Sequence, residues 1–157
     1  VEGWYQNRYG VTLQDDEILS LAGSQEGFAH VALTLCDPGD VVLVPNPGYP
    51  VFEAGPFLND AKIAYYELDK TNHYAPALDK IPEELAKKAK MMVVSYPLNP
   101  TCTCIEKADY EKIIAFAKKY NIAIIHDNAY SEIEYDGRTG FSFLSVPYLF
   151  FRVLPKT

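Results

Sequence analysis

Cysteine is scarce in this sequence, and no apolar run is long enough to cross a bilayer. The 157 residues include three cysteines, an odd number without the spacing of a disulfide scaffold. Two of them, Cys102 and Cys104, have no further Cys or His at ligand spacing, so no metal site is predicted. The first residues lack the basic-then-apolar pattern of a secretory signal. We therefore expect a reduced, cytoplasmic protein without a membrane segment.

Positive charge is also in short supply. Lys and Arg number 14 against 21 Asp and Glu, which gives a formal net charge of -7. Nucleic acids and anionic membranes are bound by clustered Lys and Arg, so neither is expected as a partner. The composition, 48% hydrophobic and 22% charged, is that of a globular protein, and the length suffices for one domain with a buried core.

Short apolar runs alternate with helical patterns along the chain. Strands are predicted at residues 41–44, 62–68, 91–96 and 122–127, with a weaker candidate at 18–22. Helical patterns cover the opening residues through Arg8, a stretch from the 23–27 turn to Leu35, residues 83–90, and residues 107–120 closed by Asn121. Since strand, helix and strand in succession predict a parallel crossover, we expect an α/β fold with three α/β/α layers around a mostly parallel sheet.

The end of the sequence differs from the rest. Residues 141–157 show no clear alternation of strands and helices, and the apolar segment that begins at Tyr148 stops abruptly. The expectation is one partial domain over residues 1–147, followed by an atypical, truncated tail over residues 148–157.

The turn at residues 23–27 lies between a predicted strand and a predicted helix. Backbone N–H groups at a helix start, together with the helix dipole, attract anions, and Ser24 adds a hydroxyl donor. A serine that merely caps the helix is the commoner arrangement, and it is favoured for this turn taken alone. The turn has neither the dinucleotide glycine fingerprint nor a Walker loop.

Two polar residues follow neighbouring strands of the predicted sheet. Asn99 precedes Pro100, which disfavours helical geometry, and Asp127 ends an apolar strand where a carboxylate needs a partner. Each alone is better explained by an ordinary turn. Because ligands bind at the carboxyl ends of parallel strands, the two together predict a site there. Tyr49 follows a third strand and offers a flat ring. A phosphate site, a ring, an amide and a buried carboxylate suit a phosphorylated aromatic cation.

The order of these segments resembles the signature of class I and II aminotransferases of fold type I, which depend on pyridoxal 5'-phosphate (PLP). Residues 23–27, 45–50, 99–101 and 127–130 carry the resemblance, and residues 95–102 and 126–135 are similar to the aspartate or LL-diaminopimelate aminotransferase subgroup. This resemblance implies that the chain forms the PLP-binding large domain, that the reaction is transamination between an amino acid and a 2-oxo acid, and that the protein is a homodimer. A PLP lyase of the same fold stays an alternative.

The resemblance also implies roles for six residues. Ser24 and Gln25 would hold the cofactor phosphate, Tyr49 would stack on the pyridine ring, and Asp127 would pair with the ring N–H. Asn99 and Tyr130 would bind the phenolic oxygen.

The family's Schiff-base lysine has no convincing counterpart, since Lys156 lacks the serines that precede such a lysine in the family. No catalytic residue is therefore assigned. An inactive, truncated product that lacks this lysine is the second alternative.

Overall fold

The computed structural model describes residues 1–146, and these contain a four-stranded parallel sheet. Its strands are β1 (Val41–Asn46), β2 (Lys62–Glu67), β3 (Ala89–Ser95) and β4 (Ala123–Asp127), in the order β2-β1-β3-β4. All three pairings are parallel. The four main strand predictions are therefore confirmed within a few residues at each end.

Five α-helices accompany the sheet in the described residues. They are α1 (Glu2–Tyr9), α2 (Ser24–Leu35), α3 (Val51–Leu58), α4 (Glu83–Lys88) and α5 (Lys107–Tyr120). The bounds of α5 are those predicted, and Asn121 closes it in the left-handed conformation with φ 56°. Helix α4 ends two residues before the predicted position, because β3 already begins at Ala89.

Two apolar clusters lie on opposite faces of the sheet. Val42 and Val44 of β1 belong to the cluster that includes residues of α2 and α3. Val41 and Leu43 belong to the other cluster, together with buried residues of α5. Successive side chains of a strand point to opposite faces, so this alternation places β1 between two helical layers. The predicted three-layer α/β/α arrangement is confirmed for the described residues.

One local prediction is wrong, and one helix was not predicted. Residues 18–22 form no strand, and the side chain of Leu19 is 82% exposed. An apolar run becomes a strand only when its backbone pairs with another strand. The four strands of the sheet pair only with one another, so residues 18–22 have no partner among them. Helix α3 was not predicted, because Gly55 and Pro56 interrupt its pattern. Gly55 permits close contact with α2, since a Cβ there would lie 2.6 Å from the Phe28 carbonyl oxygen.

No helix among residues 1–146 combines the length and the apolar character that crossing a bilayer requires. Lys156 and the tail predicted at residues 148–157 lie outside the described residues.

Candidate functional site

A pocket of about 170 Å³ lies beyond the carboxyl ends of β1, β3 and β4. All six residues singled out from the sequence line it, and three apolar residues complete the wall. The lining residues are Ser24, Gln25, Phe28, Tyr49, Val51, Asn99, Asp127, Ala129 and Tyr130. Four segments that are distant in the sequence meet here because β1 and β4 both pair with β3. The arrangement follows the rule that parallel sheets bind ligands at this edge.

Asp127 is the last residue of β4 and lies opposite Ser95, the last residue of β3. The Ser95 hydroxyl donates to Asp127 Oδ2 at 3.1 Å. Burial raises the pKa of the Asp127 carboxyl, while hydrogen bonds from Ser95 and from the backbone of Ala129 act in the opposite direction. A partly desolvated carboxylate of this kind gains most from a cationic N–H donor, because such a donor offsets the cost of its burial.

The first turn of α2 forms another wall. Gly23 is the N-cap residue and makes no side-chain bond, so Ser24 is the first helical residue and not the cap. The first N–H groups of a helix have no intrahelical acceptors, which leaves them available to an anion. No Lys or Arg is among the residues that line this pocket. The Glu26 carboxylate accepts from the Ala22 N–H at 3.0 Å, so the only formal charge in this turn is negative.

Tyr49 connects the end of β1 to this helix start. Its hydroxyl accepts a hydrogen bond from Gln25 Nε2 at 3.0 Å. Its ring meets the edge of Phe52 with a centroid distance of 6.1 Å. Tyr49 as a whole residue is 38% exposed, which leaves part of it free to contact a ligand. Gln25 therefore orients the ring in addition to lining the pocket.

Asn99 and Tyr130 lie at the boundary between two cavities. Both line the pocket just described and also a larger hollow of about 1010 Å³. That hollow is lined by the segment after β3, the loop after β4, and residues 72, 73 and 75. A ligand in the smaller pocket would thus be reachable from the larger one past these two side chains.

His126 lies on the other side of β4 from the pocket. Its ring packs edge-on against Phe143 at 4.8 Å and Tyr110 at 5.9 Å, both within the α5 cluster. Burial lowers its pKa from 6.5 to about 4, and a backbone hydrogen bond with Tyr96 opposes the shift. Its Nε2 has no hydrogen-bond partner among the described residues. No hydrogen bond joins His126 to the neighbouring Asp127 carboxylate in the described residues, and the half-buried histidine packs against the α5 cluster instead.

Two residues next to the site were missed by the sequence reasoning. Ser95 could have been found from register, because parallel pairing of β3 and β4 sets it beside Asp127. Tyr9 of α1 bonds the loop that follows Asp127, with a sequence separation of 119 to Asn128 that no local pattern reveals.

Cys102, in the turn after Asn99, adopts a backbone conformation that is unusual for a residue other than glycine. Its φ of 56° lies in the left-handed region, which favours glycine. Within residues 1–146 no group of three His, Cys, Asp or Glu residues is arranged to hold a metal ion.

The model of the family "Aminotransferase class I and II" matches residues 3–151. The chain belongs to this family. Enzymes of the class depend on PLP, as the residues that line the pocket suggested. The sequence resemblance to class I and II aminotransferases is thereby confirmed. The resemblance to the LL-diaminopimelate aminotransferase subgroup is confirmed as well, because curated relatives carry that name.

Curated relatives named LL-diaminopimelate aminotransferase are 42% identical over 148 residues in Syntrophobacter fumaroxidans and 43% identical over 148 residues in Moorella thermoacetica. Each alignment covers 94% of this chain and 38% of the relative, so the chain spans about two fifths of these proteins.

Solved structures have the same fold. An aminotransferase from Staphylococcus aureus is 34% identical with a TM-score of 0.87, and the match covers 92% of this chain and 38% of that one. A probable N-succinyldiaminopimelate aminotransferase from Thermus thermophilus is 33% identical with a TM-score of 0.86, covering 94% and 39%.

Proposed function

We propose that this protein takes part in PLP-dependent transfer of an amino group between an amino acid and a 2-oxo acid. The observation that carries the proposal is the meeting of these six residues, from four separate segments of the chain, at one pocket. Family membership supports the reaction class, and the pocket supplies the matching chemistry. Residues 1–147 would form part of the PLP-binding large domain.

The residues present fit the cofactor. A planar cationic ring needs an apolar wall, a flat neighbour and an acidic partner, which Val51, Tyr49 and Asp127 provide. Burial raises the pKa of Asp127, which means that its charged form is poorly solvated. A ring N–H would stabilise that charged form. Asn99 and Tyr130 carry the amide and hydroxyl that a phenolic oxygen would require.

Asp127 has the central chemical role in this proposal. When bound, PLP supplies an electron sink for the substrate's reacting carbon. The Asp127 carboxylate would hold a proton on the ring nitrogen, and Ser95 fixes that carboxylate through its 3.1 Å hydrogen bond. Tyr49 would contact the ring face, a contribution of about 1 kcal/mol beyond area burial.

Ser24 and Gln25 would bind the phosphate through the first turn of α2. Backbone N–H groups and the helix dipole favour a dianion here by roughly 1 kcal/mol. With no Lys or Arg in the pocket wall, we infer that binding by this chain is modest.

The finer assignments rest on the relatives. Dicarboxylic amino acids are the substrate class we propose, and LL-diaminopimelate is the first to test because the relatives in Syntrophobacter and Moorella carry its name. A homodimer in the cytoplasm is the setting we propose for the whole protein.

The test is a PLP titration of the chain followed by absorbance, with Asp127→Asn as the variant and Asp79→Asn as an exposed control. We expect saturable binding that weakens only in Asp127→Asn. Absence of saturable binding at millimolar PLP would overturn the proposal. Borohydride reduction and peptide mapping of the same samples would identify any modified lysine. We expect no specific adduct, and stoichiometric labelling of Lys156 would assign it the lysine role.

A further inference from the structure

The loop after β4 carries two residues of the pocket wall but belongs to no sheet. Ala129 and Tyr130 line the pocket, and both are exposed in the described structure. Two local hydrogen bonds hold the loop: the Ile133 N–H donates to the Tyr130 carbonyl at 2.9 Å, and the Ala129 backbone N–H donates to the Asp127 carboxylate. The Tyr130 hydroxyl can hydrogen-bond a ligand in a defined geometry only when the backbone of the loop is held in place. The position of this loop therefore needs a further anchor.

Helix α1 provides that anchor through the hydroxyl of Tyr9. The Asn128 amide donates to Tyr9 Oη at 3.1 Å, and Tyr9 Oη donates to Ser131 Oγ at 3.2 Å. Asn128 and Ser131 bracket the two pocket residues between them. The hydroxyl thus bridges the loop on both sides of Ala129 and Tyr130, although it comes from more than a hundred residues away in the sequence.

Arg8 adds a second attachment at the same end of α1. Its Nε donates to Glu132 Oε1 at 2.7 Å, and its terminal nitrogen donates to the Ser131 carbonyl at 3.1 Å. No residue of α1 is buried, so these polar contacts attach the helix to the loop without the help of a buried apolar face. The contact region is tightly packed, since a Cβ on Gly140 would lie 2.5 Å from the Ser131 carbonyl oxygen.

Asn128 adds an independent observation. Its Oδ1 is buried and has no hydrogen-bond partner among the described residues. A buried polar atom without a partner is unfavourable, and such groups persist where surrounding contacts hold them in place. The bond from Asn128 to Tyr9 is the contact that holds this side chain.

We propose that Tyr9 is a positioning residue, which fixes the 128–131 loop and thereby the placement of Tyr130 at the pocket. Its effect on PLP rests on the function proposed above, whereas its effect on the loop does not. Tyr9→Phe removes only the bridging hydroxyl. Tyr5→Phe is the matched control, because Tyr5 is on the same helix with its ring 5.1 Å from that of Tyr9, and its hydroxyl makes no hydrogen bond seen in the described residues.

The first measurement is hydrogen exchange of the Ala129 and Ile133 amides in the chain without PLP. Loss of the two hydrogen bonds that the hydroxyl makes predicts about fivefold to thirtyfold faster exchange in Tyr9→Phe and no change in Tyr5→Phe. Unchanged exchange in Tyr9→Phe would overturn the proposal, whether or not the chain binds PLP. Equal acceleration in both variants would also overturn it, since the effect would then belong to the helix and not to the hydroxyl.

The second measurement separates positioning from general loosening. Affinity is compared for PLP and for its analogue without the 3-hydroxyl, which cannot use Tyr130. We expect Tyr9→Phe to weaken PLP about fivefold and the analogue less than twofold. Equal weakening of both ligands would contradict placement of Tyr130 by Tyr9. If the unaltered chain binds neither ligand, the proposed function fails, and the exchange experiment alone decides whether Tyr9 fixes the loop.

Discussion

The two halves of the pocket are built differently. On the side proposed for the cofactor ring (the ring side), Asp127 ends a paired strand, accepts from Ser95 and is partly removed from water. On the side proposed for the phosphate (the phosphate side), Ser24 and Gln25 open a helix at the surface, with a single side-chain hydrogen bond from Gln25 to Tyr49. The sheet thus fixes the groups proposed to bind the ring in advance, whereas phosphate binding would depend on backbone dipoles. Recognition in this chain should therefore come mainly from the ring side.

Acid should have the largest effect, by destabilising the sheet that carries Asp127 through His126, whose ring packs on the opposite face of β4. The unfolded chain protonates this residue near 6.5 and the folded chain only at about 4, so protons favour unfolding in between. The contribution of neutral His126 to the free energy of unfolding is complete above pH 6.5 and is lost as the pH falls toward 4. At about 1.4 kcal/mol per pKa unit, this loss amounts to about 3 kcal/mol.

Chemical denaturation at several pH values measures this loss. His126→Phe should flatten the decline, while His30→Asn, at an exposed position, should not. An equally steep decline in His126→Phe would show that other groups control acid unfolding.

Asp127→Asn tests the ring side at its charged group and should act in opposite directions on binding and stability. Loss of a charge-assisted hydrogen bond should weaken PLP about tenfold to a hundredfold. Without PLP, the raised pKa means that the charged carboxylate opposes folding above its ordinary pKa. The variant should therefore unfold at a higher temperature than the unaltered chain at pH 7, and the difference should shrink below pH 4. A lower unfolding temperature at pH 7 would contradict a strained carboxylate.

Tyr49 connects the two halves, so its substitutions separate stacking from orientation. Tyr49→Ala should weaken PLP about fivefold through the lost ring contact. Tyr49→Phe keeps the ring and frees Gln25, and should weaken PLP about twofold. Affinities measured by absorbance titration would reveal the order. Equal losses in both variants would mean that the hydroxyl, not the ring, is what matters.

The smallest expected effect concerns the turn that carries Asn99. A non-glycine residue in the left-handed conformation costs about 1 kcal/mol, and added freedom of the unfolded chain cancels about half of any gain from glycine. Cys102→Gly should therefore stabilise by about 0.5 kcal/mol in urea unfolding. Cys104→Gly, at a position without a positive φ, should destabilise. Destabilisation by Cys102→Gly would argue that its side chain contributes contacts that outweigh the backbone strain.

Prediction from sequence succeeded where local pattern and pairing agree. The apolar run before Asp127 and the helical period of residues 107–120 were sufficient to place Asp127 and Asn99 at one sheet edge. The run at residues 18–22 failed, because a strand depends on a partner that local sequence cannot supply. The contacts of Tyr9 could not be predicted from local sequence either, because its hydrogen bonds join residues that are 119 and 122 positions apart.

The role proposed for Asp127 is to hold a protonated ring nitrogen in this pocket. The direct test is the ¹⁵N chemical shift of ring-labelled PLP bound to the chain and to Asp127→Asn, at a pH where free PLP is unprotonated at that atom. We expect a protonated ring nitrogen in the unaltered chain and an unprotonated one in the variant. An unprotonated nitrogen in both, or the same shift in both, would contradict it.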